Sequence, residues 1–483
     1  MTFQISELYM IAPQVILTCT ALVVLLVEAF GRGHRRPEAT WISLLGIALA
    51  AWATWAYNAE TSRLAFSGMI VNDKFTVFCY SIFLIIGALS VLISAGYLTD
   101  ERNEHGEYHA LLLMSVVGMM FMAASGHLMM MFLALETMSI AIYALAGFMR
   151  SRENLEASFK YFLLGGFATA FMLYGIALIY GAVGSTHIRL IAHQLLTVRA
   201  LTDSPMLLAG VALLMVGFAF KVAAFPFHGW TPDVYQGAPT PVTAFMATGV
   251  KAAAFAAFFR VFSLAFPSMA EFWTMALWVI AVATMTMGNF AAIAQRDVKR
   301  MLAYSSIAHA GYLLVGVITA TQEAGSGVLF YLLAYAFMNI GAFACLIMIS
   351  RKGDEGTGLD DLAGIGFKYP LLAGALTLFM FSMAGIPPTA GFIGKFMIFK
   401  AAINKGFVWL AILGVLNSAA SVYFYLRVIV YMYFKDRPEG AAEGIRTFPT
   451  VTLATAAAAV AVLLLGVAPG LVVKIAMAAV AGF

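Results

Sequence analysis

Residues 220–255 read FKVAAFPFHGWTPDVYQGAPTPVTAFMATGVKAAAF. Two lysines, Lys221 and Lys251, stand in runs that are otherwise apolar, with Pro226, Pro232, Pro239 and Pro241 between them. Proline has no backbone N–H to give a helix, and its ring clashes with the preceding turn, so a helix that reaches Pro226 must break nearby. Inside a membrane such a break survives only where the freed backbone faces protein or a wet cavity. The stretch therefore predicts a helical membrane protein in which a buried cation stands beside an interrupted helix.

The composition around it agrees. Of 483 residues, 62% are hydrophobic and 11% charged, with a mean hydropathy of +0.91. Soluble domains are about 45–50% apolar and about 25% charged, so the solvent here must be lipid. A spanning helix needs roughly 20 apolar residues, which gives about 14 spans. They centre on 8–30, 39–57, 71–97, 108–125, 127–148, 157–183, 205–225, 241–265, 272–293, 298–319, 326–349, 369–399, 407–433 and 450–479. The seventh ends in the proline-rich extension and the twelfth is interrupted at Gly385-Ile386-Pro387-Pro388. The N-terminal segment has no basic stretch and no small-residue cleavage site, so a retained first span is expected rather than a removed signal.

The net charge of +4 comes without a long basic tract, which sets nucleic acid aside. Cys19, Cys79 and Cys345 are isolated in apolar runs, without the spacing of a metal or iron–sulfur site. The 28 methionines and 39 phenylalanines read as packing and lipid contact. No nucleotide-binding or haem pattern is visible.

Lysine and arginine gather in alternate loops. One side carries Arg32, Arg35 and Arg36, then Arg150 and Arg152, then Arg296, Lys299 and Arg300, then Arg351, Lys352 and Lys368, then Lys435, Arg437 and Arg446. The other carries only Arg63, Lys74, Arg189, Arg199, Arg260 and Lys405. The positive-inside rule places the rich side in the cytoplasm and both termini outside. There is also a hint of repetition. LETMSIAIYALAG (135–147) and LAYSSIAHAGYLL (302–314) follow comparable spans, and each leads on to a proline-broken helix. Such repeats are typical of transporter-like folds, with ion sites near the breaks.

Sorted by depth, nearly all the carboxylates fall in loops or at span ends; Glu136 lies well inside the fifth span. Lys160, Lys221, Lys251 and Lys395 also lie inside spans. Each ionised group at mid-membrane costs about 2.5–3.5 kcal/mol, so the five demand good pairing or a function. Glu136 shares a helical stripe with Ser139 and Tyr143. It is either half of a structural ion pair with a lysine or a carboxylate on a proton path. A lysine beside a broken helix can load and release a proton, because burial disfavours its charged form. The competing reading is snorkelling, stronger for Lys160, which is close to a basic loop, and for Lys400. His309, with Tyr304, Ser305, Ser306 and Tyr312 near it on the tenth span, could bridge deeper lysines or be a hydrogen-bonded core histidine. His228, beside the first break, is a relay candidate or a helix cap.

The quoted run closely resembles the signature of the antiporter-like membrane subunits of respiratory complex I. WTPDVYQGAPTPVTAF and VKRMLAYSSIAHAGY (298–312) are similar to the N-type branch, and GIPPTAGFIGKF (385–396) fits the same family. The resemblance covers nearly the whole chain. It implies 14 helices with two inverted five-helix repeats, each holding a broken helix. The divisions would be an N-terminal three-helix part (1–100), a first repeat (107–265), a second repeat (272–433) and a C-terminal helix (450–483), all in one membrane domain.

It also implies one proton channel. Glu136 would pair with Lys221, Lys251 would connect the halves, Lys395 would be the terminal group and Lys160 a further family lysine. Lysine at 395 and the lack of a long C-terminal lateral helix fit the N type. The implied role is proton translocation as a subunit of an NADH:quinone oxidoreductase, in a bacterial inner membrane. FMN, iron–sulfur clusters and quinone would sit in partner subunits and no cofactor or metal in this chain. The expected neighbours are an antiporter-like subunit (M) and a small subunit (K). Separating Glu136 from Lys221 would destabilise the ammonium and push its proton toward Lys251. The alternatives are an Mrp-type cation/proton antiporter subunit, the equivalent subunit of a ferredoxin-linked photosynthetic complex, and a structural scaffold.

Overall fold

In lipid the backbone can be satisfied only within helices or closed barrels, so apolar runs of spanning length fold as helices. A computed structural model describes residues 5–30, 37–57, 63–354, 356–437 and 444–482. The predicted cytoplasmic cations Arg32, Arg35 and Arg36 lie outside the described residues, as do residues 1–4 and 483. Twelve helices among the described residues are long and apolar enough to cross a membrane. They account for every predicted span except the seventh and twelfth, the two that prolines interrupt.

Burial sorts the spans. Thr240–Leu264 is wholly enclosed, and Val298–Thr319, Gln322–Ile349 and Lys74–Asp100 nearly so, whereas Ala12–Phe30 and Val408–Phe434 expose most of their surface. The eighth, tenth and eleventh spans thus form the axis of the bundle. The eighth contains a π-helical turn, Met246–Val250, immediately before Lys251. Such turns loosen the local hydrogen-bond ladder and recur at functional sites.

The two breaks are built alike. Pro205–Lys221 ends with Ala223 N–H donating to Phe220 O (3.0 Å) and Ala224 N–H to Ala219 O (2.8 Å). Pro370–Ala384 ends with Gly385 N–H donating to Ser382 O (3.1 Å) and Ile386 N–H to Phe381 O (3.0 Å). Both are the paired 5→2 and 6→1 bonds of a Schellman ending, which needs a left-handed residue. That residue is Gly385 (φ 86°) in one and Ala223 (φ 60°) in the other. The chain re-enters as Trp230–Gly237 after the first break and Ala390–Asn404 after the second.

Four local features depart from the sequence reading. The third span begins at Lys74 rather than at 71, because Asp73 caps it by accepting from Thr76 N–H (2.8 Å). Residues 70–72 instead form a hairpin strand with Arg63–Ala65. The predicted loop after the sixth span contains the amphipathic helix Ile188–Thr197, which buries Ile188, Ile191 and Leu195. It is too short for a spanning window to register. The fourteenth span stops at Val467, and Gly470–Val480 is a separate helix. Pro469 ends the run, which a hydropathy average does not detect. Gly466 is required there, since a Cβ on it would run into the Pro388 carbonyl of the second break.

The matched endings give opposite expectations for the same pair of residues. Ala223→Gly should raise the thermal midpoint of the assembled protein, since a left-handed non-glycine residue costs about 1–2 kcal/mol. Gly385→Ala should lower it, because the new Cβ would also stand 3.1 Å from Lys395 Cδ. Thermal unfolding of both variants checks this.

Candidate functional site

Lys221 is the last residue of the seventh span's first half and is buried. Its ammonium donates to Ser139 Oγ (2.8 Å) and Tyr143 Oη (3.4 Å). It lies over the rings of Tyr143 and Tyr161, 5.5 and 5.4 Å from their centroids. Tyr161 stacks in turn on Trp230, the first residue of the re-entering half-helix. The expected direct pair with Glu136 is not formed. Lys221 takes the hydroxyl one turn further along the fifth span, and the half-buried Glu136 keeps an oxygen, Oε1, without a protein partner.

Lys251 follows the π turn in the eighth span and is buried. It donates to both the carbonyl and the hydroxyl of Ser306 on the tenth span, and it faces the ring of Tyr335 at 5.7 Å. The hydroxyls of Tyr235 and Tyr335 also approach Ser306. Ser306 therefore joins the broken-helix segment of the first half to the axis of the bundle. His309 lies one turn on, between Tyr331 Oη (2.5 Å from Nδ1) and Tyr425 Oη (2.9 Å from Nε2). Tyr425 also bonds Ser305. His309 is within electrostatic reach of both Lys251 and Lys395.

Lys395 sits in the helix after the second break and reaches back across it. It donates to Met383 O (2.8 Å), Ala384 O (3.1 Å) and Ser418 Oγ (2.8 Å). A cation at the carbonyl end of a helix is where the helix dipole favours it. The ring of Tyr312 lies 4.8 Å away. Lys221, Lys251, His309 and Lys395 are thus linked by hydroxyls and aromatic rings through the buried middle of the bundle, and among the described residues no carboxylate is bonded to any of the three lysines.

The other candidates stand apart. Lys160 is 39% exposed and pairs with Glu156 (2.8 Å) and Asp233 (3.1 Å), so it is a surface ion-pair residue and not a buried one. Tyr304 packs under the guanidinium of Arg300 and joins no relay contact. His228 stacks on Phe225 and gives no side-chain cap to the helix that follows. The reading from sequence named Tyr143 and Tyr312 but missed Tyr161, Tyr235, Tyr331, Tyr335 and Tyr425, because an apolar count includes them although each carries a hydroxyl. It also counted Lys299 as a loop cation, whereas Lys299 is buried, paired with Asp354 (3.0 Å) and bonded to Ala238 O (2.6 Å).

Residues 125–421 match the family model described as NADH:quinone oxidoreductase/Mrp antiporter, transmembrane. NADH-quinone oxidoreductase subunit N of Trichlorobacter lovleyi is 51% identical, over 99% of this chain and 98% of its own length. The chain belongs to the subunit N family of NADH-quinone oxidoreductases. Respiratory complex I of Thermus thermophilus contains a chain of 36% identity that superposes with a TM-score of 0.79, covering 96% of this chain and 98% of that one. A chain of the Mrp complex from Dietzia shares the fold at 21% identity, with a TM-score of 0.85 over 98% and 97% of the two chains.

Two further features frame the path in this subunit N relative. On the face with the cation-rich loops, a cavity of about 1110 Å³ is lined by Glu101, Glu107, Glu153, Asp354 and Lys299 and ends against Ala144 and Gly147, next to Tyr143. At the opposite face Arg260, counted from sequence as a scattered loop cation, is buried and grips Asp73 with two bonds (2.9 and 2.8 Å). This pair ties the third span to the eighth.

Burial alone would raise the Asp73 carboxyl, but the Arg260 guanidinium outweighs it and holds the group below its usual value. A depressed folded pKa gives stability that is full above the unfolded value of about 3.9 and is lost as pH falls through the folded value. Asp73→Asn should cost about 3–5 kcal/mol at neutral pH, because it leaves Arg260 buried without its counter-charge. It should also flatten the acid-side loss. Unfolding midpoints measured from pH 7 downward on both forms check this; identical acid profiles would contradict it.

Proposed function

We propose that this chain carries protons across the membrane as the N-type subunit of an NADH:quinone oxidoreductase, along Lys221, Lys251, His309 and Lys395. The observation that carries the reading is that these four buried titratable groups, from both halves of the chain, are joined by one run of hydroxyls and aromatic rings. A hydroxyl both gives and accepts hydrogen bonds, so such a run can hand a proton on. The large polar cavity supplies the cytoplasmic entrance, and Tyr143 and Tyr161 lead from it to Lys221. Tyr235 and Ser306 pass the proton to Lys251. His309, with Tyr331 and Tyr425, bridges to Lys395, which releases it on the other side.

Glu136 acts from the flank. A carboxylate near an ammonium favours the charged form, and its withdrawal disfavours it. Glu136 keeps an oxygen without a bond, free to respond to a charge change in a neighbouring subunit. Lys221 rests on Ser139, from which it can move toward Glu136 or away from it. In this reading the pairing of Glu136 and Lys221 is one state of a cycle, and the hydroxyl-held state is another.

The cation-rich loops put that face in the cytoplasm and both termini in the periplasm of a bacterial inner membrane. The five-helix repeats are 107–265 and 272–433, preceded by three helices (1–100) and followed by the C-terminal segment (450–483). The neighbours are an antiporter-like subunit of the M type and a small subunit of the K type, with FMN, iron–sulfur clusters and quinone in other chains of the complex. An Mrp-type exchange of sodium is disfavoured because the groups bonded along the path beyond the entrance cavity are lysines, a histidine and hydroxyls, and the anionic oxygens that a hard cation requires are confined to the entrance and the flanking Glu136.

Inverted vesicles carrying the assembled complex test this. Lys221→Ala should abolish or sharply reduce proton pumping per electron while assembly persists. Lys160→Ala, which removes a surface ion pair, should leave pumping near the wild-type level. Normal pumping in Lys221→Ala would make this chain a scaffold, and equal losses in both variants would remove the distinction between buried and surface lysines.

A further inference from the structure

The face opposite the large chamber carries a second cavity, of about 570 Å³, between the start of the ninth span and the turn joining the twelfth and thirteenth. Glu271, Trp278, Phe407 and Trp409 line it. Glu271 stands in the first turn of Ala270–Ala294 and is exposed. Its carboxylate has no hydrogen bond or ion pair among the described residues. Lys405, exposed and equally unpaired, immediately precedes Gly406 on the rim. From this cavity the ninth span exposes Met275 and Val279, and the thirteenth exposes Ile412, Val415 and Leu416.

A carboxylate in the first turn of a helix is favourable by the helix dipole alone, so Glu271 by itself specifies no ligand. Its surroundings do. Trp409, the second residue of its span, is placed where a tryptophan belongs to the headgroup layer, and Trp278 lines the cleft two turns deeper. A carboxylate beside aromatic faces attracts an ammonium by direct charge and by cation–π attraction. A lysine on the opposite rim attracts a phosphate. Apolar helix faces running down from the cavity accept hydrocarbon. Together these features match a zwitterionic phospholipid better than an anionic one such as phosphatidylglycerol, which would set its phosphate at Lys405 but bring only hydroxyls to Glu271.

We propose that this cleft is a binding site for a phospholipid with a primary-ammonium head, phosphatidylethanolamine, whose ammonium sits on Glu271 at the mouth of the cleft that Trp278 and Trp409 line. Its phosphate faces Lys405, and its acyl chains lie along the ninth and thirteenth spans. Those two spans are held to each other by Asn289 Nδ2–H donating to Asn417 O (2.9 Å), and Ser418 on the thirteenth holds Lys395. The lipid would thus brace the helix pair next to the terminal lysine of the path.

Photo-crosslinking of the intact complex in vesicles tests this. The probe is phosphatidylethanolamine bearing a photoreactive group near its head, compared with the matching phosphatidylglycerol probe at equal content. The site predicts labelling of residues 271–278 or 405–410 by the ethanolamine probe, about tenfold above the glycerol probe, the equivalent of one charge-assisted contact. Glu271→Gln should remove most of that preference, and Lys405→Ala should weaken labelling by the ethanolamine probe. Equal labelling by both probes would reduce the cleft to bulk lipid contact, and no labelling by either would mean that a neighbouring subunit covers it. Both results overturn the proposal. The wild-type comparison decides even if a variant fails to assemble.

Discussion

A helix interrupted inside a membrane leaves carbonyls and N–H groups that lipid cannot satisfy, and this fold is arranged around that debt. At the first break, the Trp230 indole donates to Phe220 O (3.2 Å), and Phe225 N–H donates to Thr284 Oγ1 on the ninth span (2.9 Å). At the second, Lys395 closes two carbonyls itself. The groups that make the breaks tolerable are therefore the groups that line the candidate path. Trp230 anchors the stacked Tyr161 beside Lys221, and Lys395 is both cap and terminal cation. Stability and function draw on the same few side chains, so substitutions at the breaks are expected to disturb assembly and transport together.

Lys221, Lys251 and Lys395, the three buried lysines of the run, share a solution that is unusual for buried charge. None is locked to a carboxylate; each is held by hydroxyls, carbonyls and aromatic faces. A tight buried ion pair would fix the proton, since breaking one is costly. Neutral acceptors hold an ammonium less firmly, and a hydroxyl among them can turn and donate to the neutral amine when the proton leaves. The fixed ion pairs, Arg260 with Asp73 and Lys299 with Asp354, stand away from the run. They join the third span to the eighth and the tenth span to the loop after the eleventh. The division is physical: strong pairs where rigidity is needed, adaptable partners where a proton must move.

Much of this was legible in the sequence. Twelve spans follow from apolar length alone, and Pro226 and Pro387-Pro388 marked both breaks, with Lys221, Lys251 and Lys395 beside or between them. The missed features share one cause: they depend on what lies across the bundle. Hydropathy cannot tell Lys160, which reaches the surface, from Lys221, which does not, because both sit in apolar runs. It placed Arg260 and Lys299 in loops because their partners, Asp73 and Asp354, are 187 and 55 residues away in the chain. It could not foresee that Lys221 would rest on Ser139 rather than on Glu136, which depends on side-chain positions within one turn of helix. Tyr235, Tyr331 and Tyr425 were invisible as relay residues because their rings hide their hydroxyls in any apolar count.

The two halves of the proposed path meet at Lys251 and Ser306. The most direct measurement is the ratio of protons pumped to electrons transferred in assembled complex carrying Lys251→Ala. The expected ratio is below that of the wild type, with electron transfer and assembly retained, because the lysine bonded to Ser306 at the junction of the halves has been removed. A wild-type ratio would contradict it, and would mean that the halves conduct separately or that this chain does not conduct.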